Sequence, residues 1–460
     1  MLGNSRIRVK FGTAGIRGLY GQEVFLRETL AVCFGVQKML GQGRFGVGYD
    51  TRRSSAILAL LVCSAMNWYG SDVESYGIIP TPVLAFSIKN NKLHAGFSVT
   101  ASHNPPEYAG IKVYGTDGIE FSLEAEHKLE ELIQESSEYT KRSAGEELGF
   151  GSTYDNEESL SKYVDSLCKS VRGTKKELKI LVDCANGTAT DVTPRILSAL
   201  GHKVVTVNSH QSSVFPGRPP EPTPESLGET AELCRRMGVD FALAHDGDAD
   251  RLVMIDGGGA VLPDYVVSCL LLKIILESGR KGTVILSMNS SNALEEVAKD
   301  HGCRIYRSRL GKTFEELYKQ RGIFATEPSK AVDPRWGYWE DGIYAAVLVA
   351  QYLSEDGRNL GEVVSSFPRY YNLQENVSME GLLEYSEVAS RLQEHLRESV
   401  VSIDLRDGVK VSLKDGSWLM LRRSGTEKKA RVYVESREKG KAHELLALGR
   451  NVLAWKAIDV

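Results

Sequence analysis

The segment His245-Asp-Gly-Asp-Ala-Asp-Arg251 places three carboxylates at every second position, directly after the apolar run Phe241 to Ala244. In an extended segment Asp246, Asp248 and Asp250 would all point the same way, and three carboxylates held together repel one another unless a hard cation sits among them. Mg²⁺ suits such an oxygen-only donor set. A calcium loop of the EF-hand kind would need a glycine at its sixth position and a glutamate at its twelfth, where this chain has Arg251 and Gly257. A solvated acidic turn is the alternative.

A second candidate is Thr100-Ala-Ser-His-Asn-Pro-Pro106, which follows an apolar strand expected over His94 to Val99. Ligands of open α/β sheets bind at the carboxyl ends of strands, so the Ser102 hydroxyl could act as a nucleophile or carry a phosphoryl group. The loop lacks the GxSxG elbow, and His103, being the next residue, makes a hydrolase-like Ser-His pair within the loop geometrically awkward. Alternatively, Ser102 and Asn104 simply turn the chain ahead of two prolines. The third candidate, Arg422-Arg-Ser-Gly-Thr-Glu-Lys-Lys-Ala-Arg431, sets hydroxyls and a glycine between arginines. Backbone amides at Ser424, Gly425 and Thr426 could form an anion nest, with Arg422 and Arg431 gripping phosphate oxygens through forked donors. The chain has no GxxxxGK[ST] nucleotide cradle. Two weaker loops remain. Phe11-Gly-Thr-Ala-Gly-Ile-Arg-Gly18 is glycine-rich but enters no evident helix, and Ala325-Thr-Glu-Pro-Ser329 offers Glu327 and Ser329 to sugar hydroxyls at a strand end.

The elements that must carry these loops can be read from hydropathy. Residues 45–78, 178–208 and 283–308 each run apolar strand, turn, helix, glycine, strand, with Gly70, Gly201 and Gly302 where a helix needs a left-handed cap. Each is a βαβ unit, which demands a parallel pair and a right-handed crossover. The C-terminal part differs: Val409 to Leu421 alternates around Asp415-Gly416 as a hairpin, followed by a strand over Ala430 to Glu435 and a helix from about Lys439. The fold class expected is therefore α/β: three related α/β domains with mixed sheets and a smaller α+β domain. Boundaries are expected at 1–150, 151–256, 257–368 and 369–460.

Length and composition agree. The 460 residues imply roughly three domains, and 56 Lys and Arg against 60 Asp and Glu give a net charge of −4, which leaves no overall basic footprint for nucleic acid. Seven cysteines without a CxxC pair fit reduced thiols and a cytoplasmic location, and the longest apolar run, Tyr265 to Leu276, is too short to span a membrane and reads as a buried helix.

Taken in order, FGTAGIRG, GYDTR (48–52), GIIPTP (77–82), TASHNPPEYAGIKVYG (100–115), DGDADR (246–251), TEPS (326–329) and RxSGTExxxR (422–431) make the chain resemble the α-D-phosphohexomutase superfamily over essentially its whole length. The resemblance implies four domains around a central cleft, each giving one loop. It implies that Ser102 is a phosphoserine that completes the Mg²⁺ shell of Asp246, Asp248 and Asp250. The phosphoryl group would pass to a sugar monophosphate, giving a hexose 1,6-bisphosphate that reorients and returns its other phosphate; the same bisphosphate would serve as activator. Arg17 and Lys112 are similar to family residues beside the phosphoserine, and His103 or Lys112 is the candidate for moving the hydroxyl proton. Arg251, Glu327, Ser329 and Lys330 would meet the substrate together with Arg422, Ser424, Gly425, Thr426 and Arg431. The expected partner is a small sugar phosphate, with no nucleic acid or membrane, in a monomer or homodimer.

Three departures from the common family pattern stand out. Lys330 and Ala331 occupy the usual glycine and histidine of the sugar loop, Arg423 and Lys428 replace prolines of the phosphate loop, and Ala14 stands where a serine or aspartate is frequent. The EPS form, with Asp341-Gly342 following, is more similar to archaeal phosphoglucosamine mutase relatives than to the mannose and glucose enzymes. A sugar-phosphate phosphatase, and a non-catalytic sugar-phosphate sensor on the same fold, are the readings from other classes.

Overall fold

The computed structural model describes residues 9–12, 15–24, 26–135, 149–171, 174–378, 384–423 and 429–456. The chain forms two compact units, residues 1–278 with 329–365, and residues 279–328 with 366–460.

The first unit contains two mixed sheets. In the first, β1 (Ile16–Leu19), β2 (Arg44–Tyr49), β3 (Asp72–Ile78), β4 (Ala95–Val99), β5 (Tyr108–Gly115) and β6 (Thr153–Asp155) lie in the order β1-β5-β4-β2-β3-β6. Strands β4, β2, β3 and β6 run parallel; at one edge β5 is antiparallel to β4, and β1 pairs antiparallel with β5 and so runs in the main direction. Every residue of β4 is buried, as a strand covered by helices on both faces requires. The second sheet orders β7 (Lys179–Asp183), β8 (Lys203–Val207), β9 (Phe241–Ala244) and β10 (Val253–Asp256) as β10-β9-β7-β8, with only β10 antiparallel. The helix expected over the apolar run at 265 is Asp264–Glu277, and among the described residues no helix is long and apolar enough to cross a membrane.

In the second unit the strands Thr283–Ser287, Arg304–Ser308 and Phe324–Glu327 are parallel, with Thr283–Ser287 in the middle. The strands Tyr371–Ser378, Lys429–Ser436, Trp418–Arg423, Val409–Leu413 and Val400–Asp404 form an antiparallel sheet in that order. Its apolar face, with Val411, Leu419, Leu421, Val432 and Val434, packs on Leu392 of the helix Tyr385–Leu396 and on Leu445 and Leu453 of the helix Lys439–Lys456.

The three βαβ units are present as expected from the sequence. Gly70, Gly201 and Gly302 have φ of +85°, +92° and +69°, the left-handed conformation that closes a helix at little cost for glycine. The hairpin at Asp415-Gly416 also forms, with Gly416 at φ +82°.

Candidate active site

The site grows from the carboxyl end of β9. Asp246, Asp248 and Asp250 each offer an oxygen, and these oxygens lie within 4.8 Å of one another with all three residues buried. The convergence is not that of an extended segment, as the spacing suggested. Residues 247–249 turn, and Ala249 adopts φ +60°, so the carboxylates gather on the inside of a loop. Gly247 is required by close approach: a Cβ there would stand 2.7 Å from the carbonyl oxygen of Ser102.

Ser102 is buried at φ +49°, a strained conformation for a residue with a side chain. It is held because its amide donates to Thr100 Oγ1 at 2.7 Å, and Thr100 Oγ1 in turn donates to Asp50 Oδ2 at 2.7 Å. Arg52, fully buried and paired with Asp50, donates to the Ser102 carbonyl at 3.0 Å and to the Asn104 carbonyl, and lies 4.8 Å from the Phe215 ring centre. So fixed, the Ser102 hydroxyl donates to Asp246 Oδ2 at 2.8 Å. Contrary to the expectation from adjacency, His103 Nδ1 lies 3.3 Å from Ser102 Oγ, because the left-handed turn at Ser102 folds the next side chain back over it. Arg17 reaches the same loop through Asn104 Oδ1 at 3.3 Å.

Lys112, on β5, is buried with its ammonium 2.7 Å from Asp250 Oδ2 and 3.1 Å from Asp248 Oδ2. Burial disfavours its charge, but Asp248 and Asp250 outweigh burial and hold the ammonium well above the usual lysine range. It is therefore a fixed cation and a poor proton acceptor. Burial, with Arg251, Arg17 and Lys330 nearby, pushes His103 well below the ordinary histidine range, so the ring is neutral and able to accept a proton. Burial and repulsion from Asp250 and Asp248 push Asp246 up to about 8. For Asp250, burial is outweighed by Lys112, Lys330 and Arg251, which hold it well below the carboxylate range. Arg251 Nε stands 3.8 Å from Asp246 and 3.9 Å from Asp250.

Residues behind the site keep this loop in place. Thr81, opening the helix Thr81–Asn90, donates from Oγ1 to Asp248 Oδ2 at 2.7 Å and from its amide to the Asp248 carbonyl at 3.0 Å, so a helix N-terminus faces that carboxylate. Arg218 pairs with Asp183 at 2.9 Å and donates to the His245 carbonyl at 2.6 Å. His245 is a structural histidine, between Thr193 Oγ1 and the Arg251 carbonyl at 3.0 Å each. Sequence reasoning quoted the motifs holding Asp50, Arg52 and Thr81 without giving those residues a role. Arg218 and Asp183 carry no motif, and their pairing follows only from the sheet.

Expected substrate residues divide between the units. In the first, Ser329 Oγ donates to Asp264 at 2.9 Å, and Lys330 pairs with Asp250 at 3.2 Å and with Glu340. Lys330 thus has its ammonium inside the acidic cluster, where a substrate contact had been expected of it. In the second, Glu327 Oε1 accepts from Gly311 N at 2.7 Å and from Thr313, and Arg422 Nε donates to Asp407 at 2.8 Å. Arg431 lies on Lys429–Ser436, opposite Arg422. Ser424, Gly425 and Thr426, like Ala14, lie outside the described residues.

The donors suit a hard divalent cation: three converging carboxylates, a hydroxyl beside them, and two buried oxygens, Asp248 Oδ1 and Asp250 Oδ1, without a hydrogen-bond partner.

Fold and site together define a multidomain α/β protein with three converging buried carboxylates against a strained serine. Four sequence models, described as phosphoglucomutase/phosphomannomutase α/β/α domains I, II and III and C-terminal domain, match residues 8–140, 161–259, 263–371 and 376–448. The chain belongs to the phosphoglucomutase/phosphomannomutase family of the α-D-phosphohexomutase superfamily. It is 36% identical over 440 residues, 95% of each chain, to a protein of Methanopyrus kandleri named probable phosphoglucosamine mutase. It is 35% identical over 452 residues, 96% of this chain and 97% of the other, to a phosphopentomutase of Thermococcus kodakarensis. Among solved structures, a phosphoglucomutase/phosphomannomutase family protein of Burkholderia thailandensis shares the fold with a TM-score of 0.84 at 21% identity, over 99% of this chain and 98% of that one.

Proposed function

We propose that the protein is a Mg²⁺-dependent phosphosugar mutase that carries its phosphoryl group on Ser102 and interconverts hexosamine 1-phosphate and 6-phosphate. The observation that carries this reading is the Ser102 hydroxyl, strained and buried, 2.8 Å from Asp246 at the rim of the three-aspartate pocket. Asp246, Asp248 and Asp250 would hold the metal, with an oxygen of the Ser102 phosphate beside them. Bound there, the cation neutralises negative charge on the transferring group. Lys112 and Arg17 add fixed positive charge near the same oxygens, so the protein meets the charge of the transition state with groups already in position.

In the transfer, the bond from phosphorus to Ser102 Oγ breaks as a bond to a substrate hydroxyl oxygen forms. The hydroxyl proton passes to His103, whose Nδ1 lies near Ser102 Oγ; Lys112, locked between two aspartates, supplies charge only. His103 hands that proton on to the departing Ser102 Oγ; the bisphosphate turns end for end, and the reverse transfer from its other phosphate restores the phosphoserine, the Ser102 proton returning through His103 to the freed sugar oxygen. Arg422, Arg431 and the SGT segment would grip the distal phosphate, while Glu327 and Ser329 read hydroxyls.

Glucosamine phosphates are favoured because relatives so named match over nearly their whole length. A pentose phosphate is the second reading, resting on the Thermococcus kodakarensis phosphopentomutase. The test is a panel of glucosamine, N-acetylglucosamine, glucose, mannose and ribose 1-phosphates with Mg²⁺ and a bisphosphate primer. Glucosamine 1-phosphate should turn over fastest and Ser102→Ala should be inactive while melting as the parent does. Turnover by Ser102→Ala would overturn the phosphoserine mechanism, and stoichiometric release of inorganic phosphate would make the protein a phosphatase.

A further inference from the structure

Lys330 opens the short strand Lys330–Val332. A lysine next to the surface ordinarily extends its ammonium into water. This one turns inward, with its ammonium 3.2 Å from Asp250 Oδ2 and bonded to Glu340. Lys112 occupies the same Asp250 oxygen at 2.7 Å, so one carboxylate oxygen of the pocket receives two ammonium groups. The arrangement is built from both sides. Leu252 N donates to the Ser329 carbonyl at 3.2 Å, tying the start of the lysine strand to the metal loop, and Glu340 immediately precedes Asp341, whose side chain caps the helix Gly342–Asp356.

We propose that Lys330, held by Glu340, is an internal counter-ion that weakens and sets the affinity of the divalent-cation site, an inference that rests on reading the three aspartates as that site. Two effects act together. An oxygen already accepting from two ammonium groups is a poorer donor to a metal. A fixed unit charge bonded to one of a dication's ligands also opposes binding by far more than a factor of ten at an effective dielectric constant of about 20. Glu340 fixes the ammonium and offsets part of its charge, so removing Glu340 should act in the opposite direction to removing Lys330.

The experiment is a Mn²⁺ titration of dephosphorylated full-length protein, reading free Mn²⁺ by electron paramagnetic resonance and folding by thermal melting. Lys330→Met should bind Mn²⁺ at least about tenfold more tightly than the parent, Lys330→Arg within about threefold of it, and Glu340→Gln more weakly. Should Lys330→Met fail to fold around an unpaired Glu340, the double variant Lys330→Met/Glu340→Gln removes the pair as a unit and should bind at least about threefold more tightly. Unchanged or weaker binding by folded Lys330→Met, or by the folded double variant in its place, overturns the proposal. Asp248→Asn distinguishes the two levels: if the parent takes up no Mn²⁺ that this substitution abolishes, the metal-site reading itself fails and the proposal with it.

Discussion

Replacing Arg218 by methionine tests whether the aspartate loop is held from behind by a buried ion pair. Arg218 and Asp183 are both buried, 2.9 Å apart, and the same guanidinium donates to the His245 carbonyl at the head of the loop. Removing one partner of such a pair costs about 3–5 kcal/mol, since the remaining charge is left in a poor solvent. Asp183 keeps donors from Thr230 at 2.6 Å, Ala185 N at 3.0 Å and Asn208 at 3.1 Å, which places the expected loss near about 3 kcal/mol, the lower end. For a domain of this size that is roughly 6–12 °C in the first melting transition. The pH dependence gives a second signature. In the parent, burial raises the Asp183 pKa but Arg218 and the hydrogen bonds outweigh it and leave it lowered, so its stabilisation is present above the unfolded carboxylate range and is lost as pH falls through the folded value. In the methionine variant burial should win and the sign reverse, so the deficit against the parent should be larger at pH 7 than at pH 4. Differential scanning fluorimetry at the two pH values measures both. A variant melting within about 2 °C of the parent at pH 7 would refute the argument, as would a deficit that does not change with pH.

Other substitutions probe the remaining contacts. Gly247→Ala should lower turnover at least about a hundredfold while the overall melting point falls only modestly, because the new methyl would stand 2.7 Å from the Ser102 carbonyl oxygen and push serine and metal loop apart. Thr81→Val should weaken Mn²⁺ binding several-fold, read by electron paramagnetic resonance, since Asp248 loses the 2.7 Å hydroxyl that orients it. Asp407→Ala should raise KM for sugar phosphate more than it lowers kcat in steady-state assays, because Asp407 receives Arg422 Nε at 2.8 Å and Leu310 N at 2.8 Å and fixes the arginine rather than touching the reacting atoms.

Sequence patterns reveal those parts of the fold in which local chemistry and tertiary structure agree. The βαβ units and the 415–416 hairpin are legible because a buried parallel strand, a left-handed glycine cap and a two-stranded turn each write a local composition. The aspartate triad was legible as a set of ligands but not as a shape: spacing by two suggested an extended strand, whereas the turn at Ala249 needs contacts from Ser102 and Thr81 that lie far away in sequence. The proximity of His103 to Ser102 was misjudged for the same reason, since the positive φ of Ser102 depends on Thr100, Asp50 and Arg52 together. Arg218 had no local signature at all. Its partner Asp183 ends β7, and Arg218 lies in the loop that follows β8, the strand paired with β7, so tertiary structure alone brings the two together.

The charges around the pocket carry one more consequence. Asp246, Asp248, Asp250 and Glu340 are four carboxylates, and Lys112, Lys330 and Arg251 are three cations in contact with them, so the formally ionised cluster has one negative charge in excess. A phosphoryl group on Ser102 adds nearly two negative charges and a divalent metal adds two positive ones. The phosphoryl group alone takes the buried cluster from one excess negative charge to about three, and the metal returns it nearly to the starting value. Burial penalises net charge, so phosphorylation and metal binding should favour each other, and by linkage each must strengthen the other to the same degree. The phosphorylated protein should therefore bind Mn²⁺ at least about tenfold more tightly than the dephosphorylated one, and chelation should make the phosphate on Ser102 easier to lose. Intact-mass measurement of phosphate occupancy during exposure to a chelator, beside a Mn²⁺ titration of both forms, tests the two halves of the cycle. Equal affinity in the two forms would refute the charge argument.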